Sequence, residues 1–193
     1  MSVNDSPGTL RVGILVGSLR REALTRKVAA SLTEMLAPSL STRPIELSAL
    51  DMFNQDFDAM GQTPASWTRF RQEVAAVDGV VFVTPEYNRS LPALLKNALD
   101  IGSWPFGHNR WAGKPGAIVG VSPGRFGAIA AAQALRQPAS FLGIDLMPQP
   151  EAYLSVSEGD FDARGVLVGE SSRKALEQFA RAFVQWMARA RRG

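Results

Sequence analysis

Three short stretches of this 193-residue chain carry side chains that a plain connector does not need: GSLRREALT (17–25), TPEYNRS (84–90) and SPGRFG (122–127). The first suits a phosphate. Gly17 permits a tight turn and Ser18 offers a hydroxyl. A helix starting there would present free N–H groups and a partial positive charge, and Arg20 can add a bidentate, charge-assisted contact. Thr25 supplies another hydroxyl if it falls in the first helical turn. A helix cap with solvated arginines would use the same residues. The second stretch suits a flat polar ring. Pro85 lacks an N–H and stiffens the chain, so the amides of Glu86, Tyr87 and Asn88 can turn toward a ligand's carbonyl and ring-nitrogen atoms. Tyr87 can stack on the ring or cover its edge. The plainer alternative makes Glu86 a surface acid and Tyr87 a half-buried anchor. Ser90 reads as the N-cap of the next helix, with Pro92 in its first turn; Lys96 and Asn97 then pack and cap locally. In the third stretch, Gly124 and Gly127 allow close backbone approach, Ser122 can donate a hydrogen bond, and Arg125 is placed to meet an anion.

What the chain lacks narrows the chemistry. There is no cysteine, which excludes disulfides, thiolate nucleophiles and Cys-ligated metal or iron–sulfur centres in this chain. The single histidine, His108, lies in PFGHNRWAGK and reads as a solvated loop residue. No serine occupies a Gly-x-Ser-x-Gly elbow, so a Ser-His hydrolase is a poor fit. Reaction chemistry would therefore fall to a bound organic cofactor. The net charge of +3 reflects scattered arginines, with one cluster at the C-terminal RARRG. No pattern of interleaved basic and aromatic residues points to nucleic acid. No apolar run is long enough to span a membrane, and residues 1–9 lack the features of a signal peptide. The expectation is a cytoplasmic protein with a short flexible tail over residues 1–9.

The elements that must position these turns alternate regularly. Apolar runs at 10–17, 79–84 and 113–122 predict buried strands, and RPIELSAL (43–50) predicts another. Leu24, Val28, Leu32 and Leu36 mark a helix ended by Pro38. A long polar loop to about Ala65 precedes a helix over 66–77, and Leu91, Leu94, Leu95, Ala98 and Leu99 line the next. FGAIAAAQALR (126–136) predicts a helix that Pro138 should interrupt. A fifth strand is expected within GIDLMPQPEAYLS, before a last helix carrying Leu176, Phe179, Phe183 and Met187. No linker or repeat divides the pattern, so residues 1–193 form one α/β domain. Strands joined by single helices imply a parallel sheet covered on both faces. Five of them suit the three-layer, flavodoxin-like order 2-1-3-4-5, in which the three unusual turns converge beyond the carboxyl ends of adjacent strands. The first turn has neither G-x-G-x-x-G nor the P-loop pattern.

With these turns assembled, the sequence resembles the NADPH-dependent FMN reductase family, which includes bacterial chromate and quinone reductases and some azoreductases. TPEYNRSLPALLKNALD is the most specific part of the likeness, followed by GKPGAIVGVSPGRFG. The first turn matches the family's G-S-x-R-x-x-S-x-N at Gly17, Ser18 and Arg20. The resemblance implies that this turn binds the FMN phosphate and that the Glu86–Arg89 loop, with Ser122, meets the flavin ring. It also implies NADPH or NADH as donor, a small-molecule electron acceptor and a homodimer or homotetramer. Quinones, chromate, azo compounds and free flavin are the acceptors implied, with donor and acceptor alternating on one ring face in ping-pong turnover.

Two substitutions depart from the family pattern. Ala23 stands where Ser is usual and Thr25 where Asn is usual, which predicts a several-fold weaker hold on FMN, at about 0.5–1.5 kcal/mol per neutral hydrogen bond. AIAAAQALR also lacks the arginine and tyrosine of the family's A-R-x-Q-Y-x-L-R. Two other uses of the fold stay open at this point: a one-electron carrier of the flavodoxin type, and a flavin-free binding or regulatory protein.

Overall fold

The structure is a computed structural model that describes residues 8–190. Most of the expected N-terminal tail, up to residue 7, and the last three residues of the C-terminal arginine cluster lie outside the described residues. In chain order the elements are β1 (Arg11–Val16), α1 (Leu24–Leu36), β2 (Ser41–Pro44), α2 (Asp56–Ala59), α3 (Ala65–Ala75), β3 (Gly79–Thr84), α4 (Ala93–Ser103), β4 (Pro115–Ser122), α5 (Ile129–Phe141), β5 (Asp145–Leu146), β6 (Ala152–Ser155) and α6 (Glu170–Ala190).

The sheet is parallel throughout, in the order β2-β1-β3-β4, with β5 and β6 sharing the fifth position. This is the predicted 2-1-3-4-5 order. The fifth strand is split: β5 pairs with Pro115 and Gly116, whereas β6 pairs with Val119–Ser122. Pro148 and Pro150 stand in the gap, and neither can donate to a ladder. Side chains alternate along the central strands. Val81 and Val83 join one core with α1 and α6, while Val80 and Phe82 join the other with α3, α4 and α5. Burial on both faces accounts for the unbroken apolar runs.

The C-terminal ends of β2 and α5 differ from expectation. β2 ends at Pro44 instead of running over 43–50. Ile45 still donates to Ile14, but the Glu46 carboxylate then accepts the N–H groups of Leu47 and Ser48, both at 2.9 Å, and draws the chain out of the ladder. Ile45 and Leu47 are nonetheless buried, so the alternating pattern reports core packing beyond the last strand pair. Likewise, α5 runs through Pro138 for almost one further turn. The helix gives up only the bond that an N–H at position 138 would have made to Ala134.

The loop after β2 is anchored rather than loose. Phe53 stacks on Trp67 at 5.6 Å, and Asn97 in α4 accepts from Phe53 N (2.8 Å) and donates to the Asp51 carbonyl (3.1 Å). Asn97 therefore holds a segment more than forty residues away, not its own helix. Lys96 does act locally, pairing with Asp100 at 2.7 Å. Asp58 receives two bonds from Arg71, at 2.8 and 2.7 Å, and one from Thr63 at 2.7 Å. These bonds, led by Arg71, hold the Asp58 carboxyl below the usual carboxylate range. A depressed folded-state value stabilises above the unfolded pKa, about 3.9, and that stability is lost as pH falls through the folded value. Asp58→Asn should thus lower stability at pH 7 by about 1.5–3 kcal/mol and flatten the decline of stability below about pH 4. Thermal melts of both proteins at pH 7 and pH 3 check this.

Candidate functional site

The three turns meet, as expected, beyond the carboxyl ends of β1, β3 and β4. Gly17 shows why they sit so close. Its N–H donates to Val83 O at 2.9 Å, and a Cβ there would lie 2.8–2.9 Å from Pro85, Leu95 and Pro92. Its backbone is not left-handed, so the glycine serves close packing between turns one and two instead of a tight bend. Beside it, Ser18 is buried; its hydroxyl oxygen accepts from Arg20 N at 3.3 Å and from the Tyr87 hydroxyl at 3.2 Å. α1 starts after Ala23, an extended N-cap residue with no side-chain cap. The buried Thr25 Oγ1 has no hydrogen-bond partner. The Arg20 side chain is exposed and makes no ion pair among the described residues.

Turn two is a two-residue hairpin. Tyr87 N donates to Ser90 O (3.2 Å) and Ser90 N to Tyr87 O (3.0 Å) across Asn88 and Arg89, whose φ values are 52° and 62°. Two successive left-handed residues define a type I′ geometry, which Asn tolerates better than Arg. This corrects the expected helix start. Ser90 is committed to the hairpin, so Pro92 takes the N-cap position, α4 begins at Ala93, and no side chain caps it. Glu86 is not a free surface acid either. Its Oε2 accepts from Ala130 N (2.9 Å) and Ala131 N (3.2 Å) in α5, and its Oε1 from Arg89 (3.3 Å). Nothing in the sequence around Glu86 signals a partner so far along the chain.

In turn three, Ser122 Oγ accepts from Gly124 N at 2.9 Å, while Gly124 and Arg125 are exposed. Gly127, at φ 57°, approaches the backbone of Tyr153 and Leu154. Its closeness serves the sheet edge.

Ser18, Arg20, Thr25, Pro85, Glu86, Tyr87 and Ser122 line one cleft of about 110 Å3. Asn88, Arg89 and Gly124 are not among its lining residues and stand exposed nearby in the same turns. Ala23, Leu24, Val121 and Pro123 also line it and carry no polar side chain to advertise the role. Larger hollows lie elsewhere: about 450 Å3 at the amino ends of the strands around Lys114, and about 680 Å3 between α4 and α5. Lys114 is itself paired, donating to Val77 O at 2.6 Å. The small cleft joins an uncapped helix start, a partnerless buried hydroxyl and an arginine with no ion pair among the described residues. His108 is exposed, and no group of metal-binding side chains occurs among the described residues.

An uncapped helix start, two hydroxyls and an arginine are groups that suit an anion. The sequence profile described as NADPH-dependent FMN reductase matches residues 10–159. The chain belongs to that family. Among its relatives, a quinone reductase of Pseudomonas putida is 44% identical over 176 residues, covering 91% of this chain and 94% of that protein. A 2-hydroxy-1,4-benzoquinone reductase of Burkholderia sp. is 40% identical over 178 residues, covering 92% and 96% respectively. Among solved structures, FerB, a flavoenzyme NAD(P)H:(acceptor) oxidoreductase from Paracoccus denitrificans, superposes with a TM-score of 0.88 at 35% identity, covering 94% of this chain and 98% of that one. Family membership carries the resemblance first read from turns one and two, and with it an oxidoreductase function and the flavodoxin-like fold.

Proposed function

We propose that this member of the FMN reductase family is an FMN-dependent NAD(P)H:quinone oxidoreductase whose cofactor lies across the three turns. The observation that carries this reading is the buried, partnerless Thr25 hydroxyl beside the uncapped start of α1 and the unpaired Arg20. A phosphate fits that set. The free N–H groups of the helix start and the Arg20 guanidinium supply positive charge, and Thr25 and Ser18 supply hydroxyls. No comparable cradle for an adenylate lies beside this cleft among the described residues, which favours FMN over FAD. When bound, FMN would supply the redox chemistry, hydride acceptance from a nicotinamide and release of two electrons to an acceptor.

The protein's own groups bind and orient. The Tyr87 N–H is committed to Ser90 O, so of the three amides expected to meet the ring, those of Glu86 and Asn88 are left to hold its edge with the Ser122 hydroxyl and to stabilise negative charge that develops there. Pro85 stiffens the floor of the cleft, and Tyr87, 46% exposed, covers its edge. Arg89 and Gly124 complete the rim. Flavin-free protein titrated with FMN should quench the flavin's fluorescence at one site per chain, and flavin released from the purified holoprotein should be FMN. A protein that neither carries nor takes up flavin would overturn the reading.

Donor and acceptor would share one opening and bind in turn. Steady-state rates should then give parallel double-reciprocal lines for NAD(P)H against a quinone; intersecting lines would mean that both are bound together. A homodimer or homotetramer also belongs to this proposal. The α5 alanines Ala131, Ala132 and Ala139 are buried in the chain's own core. The support lies outside that face, in the groove between α4 and α5 and in Phe141, which is 88% exposed. Light scattering at micromolar concentration should give at least twice the chain mass.

A further inference from the structure

The turn proposed to receive the flavin ring is held from a distance. α5 begins after Ala128, a left-handed residue (φ 65°, ψ 34°) whose side chain cannot cap. The first N–H groups of a helix have no partner within it. Here those of Ala130 and Ala131 go to one oxygen of Glu86, and the other oxygen takes Arg89. The Glu86 side chain is only 13% exposed, with its charge at the positive end of α5. We propose that Glu86 is a positioning residue for the flavin, its carboxylate clamping the Tyr87–Ser90 turn to the start of α5 and so to the Ser122–Gly127 turn. This role rests on the FMN reading above.

Two features follow from the clamp. Glu86 and Arg20 line the same cleft yet form no ion pair, because both Glu86 oxygens are engaged elsewhere; the arginine is left for an anion. The clamp also explains how Arg89 persists at φ 62°, since a strained residue survives only where its surroundings fix it.

The test compares Glu86→Ala, Glu86→Gln and Glu86→Asp with wild type. Gln can still accept from both amides, Asp is one methylene too short, and Ala accepts nothing. In flavin-free protein, hydrogen exchange at Ala130 and Ala131 should quicken by about tenfold in Glu86→Ala and stay within about threefold in Glu86→Gln. Affinities for FMN and for riboflavin should fall by the same factor in Glu86→Ala, about tenfold, because the ring turn serves both. Arg20→Ala should weaken FMN alone. If Glu86→Ala does not fold, Glu86→Asp against Glu86→Gln reads the same contrast. Unchanged exchange at the two amides would overturn the clamp, and faster exchange with unchanged affinity for both flavins would overturn the positioning role. Wild-type protein that binds neither flavin would overturn the FMN reading and this role with it, whatever the exchange result.

Discussion

Arg20→Ala should weaken FMN binding by about ten- to a hundredfold, whereas Arg21→Ala should change it by less than about twofold. The two arginines are neighbours in sequence and both are exposed, but only Arg20 lines the cleft. A charge-assisted hydrogen bond contributes about 1.5–3 kcal/mol, and each 1.4 kcal/mol is about a factor of ten in affinity. The partner of that bond is placed by the start of α1, where Ala23 offers no capping hydroxyl and Thr25 has a buried one to spare. Because the contact is a charge pair near the surface, the difference between the variants should shrink as salt rises. Fluorescence titrations of flavin-free protein at two ionic strengths measure both effects. Equal affinities in the two variants would refute the assignment of Arg20.

The largest effect on stability is expected at Gly127. Its φ of 57° is left-handed, and an added Cβ would meet the backbone of Tyr153 as well as Leu154 N at 2.7 Å. Neither neighbour can yield as a side chain would. Alanine there combines overpacking, about 1–3 kcal/mol, with about 1–2 kcal/mol for a left-handed residue. A loss of about 3 kcal/mol in a chain of this size lowers the melting temperature by roughly 6–12 °C. Gly124→Ala, in the same turn, should cost little. Gly124 is exposed, has no left-handed φ, and its nearest neighbour would be Ser122 Oγ at 3.2 Å. Thermal melts of the two variants side by side separate a glycine needed by the sheet edge from one that is not.

How much of this was legible in the sequence depends on the range of the interactions. β1, β3 and β4 are buried on both faces, so their apolar runs declare them, and the helices between them impose the parallel order. The three turns stood out because their residue types are wasteful in a connector. The expected β2 runs too far because burial of Ile45 and Leu47 continues the alternation after Glu46 has drawn the chain out of the ladder. Ser90 looked like a cap because its commitment to Tyr87 depends on a left-handed pair that Asn88-Arg89 does not announce. Glu86, Asn97 and the free Thr25 hydroxyl were out of reach for one shared reason. Their roles are decided by which groups the fold brings to them, across 44 residues or more for Glu86 and Asn97, and by the lack of any such group for Thr25.

A flavin held by these turns should take electrons from a nicotinamide without help from another protein. Anaerobic mixing of the FMN-loaded protein with NADPH alone, or NADH alone, followed by absorbance in the visible flavin bands, addresses it directly. At least one of the two donors should bleach the flavin at a rate no slower than steady-state turnover with a quinone. Flavin that stayed oxidised with both donors until an acceptor or a partner reductase was added would contradict it.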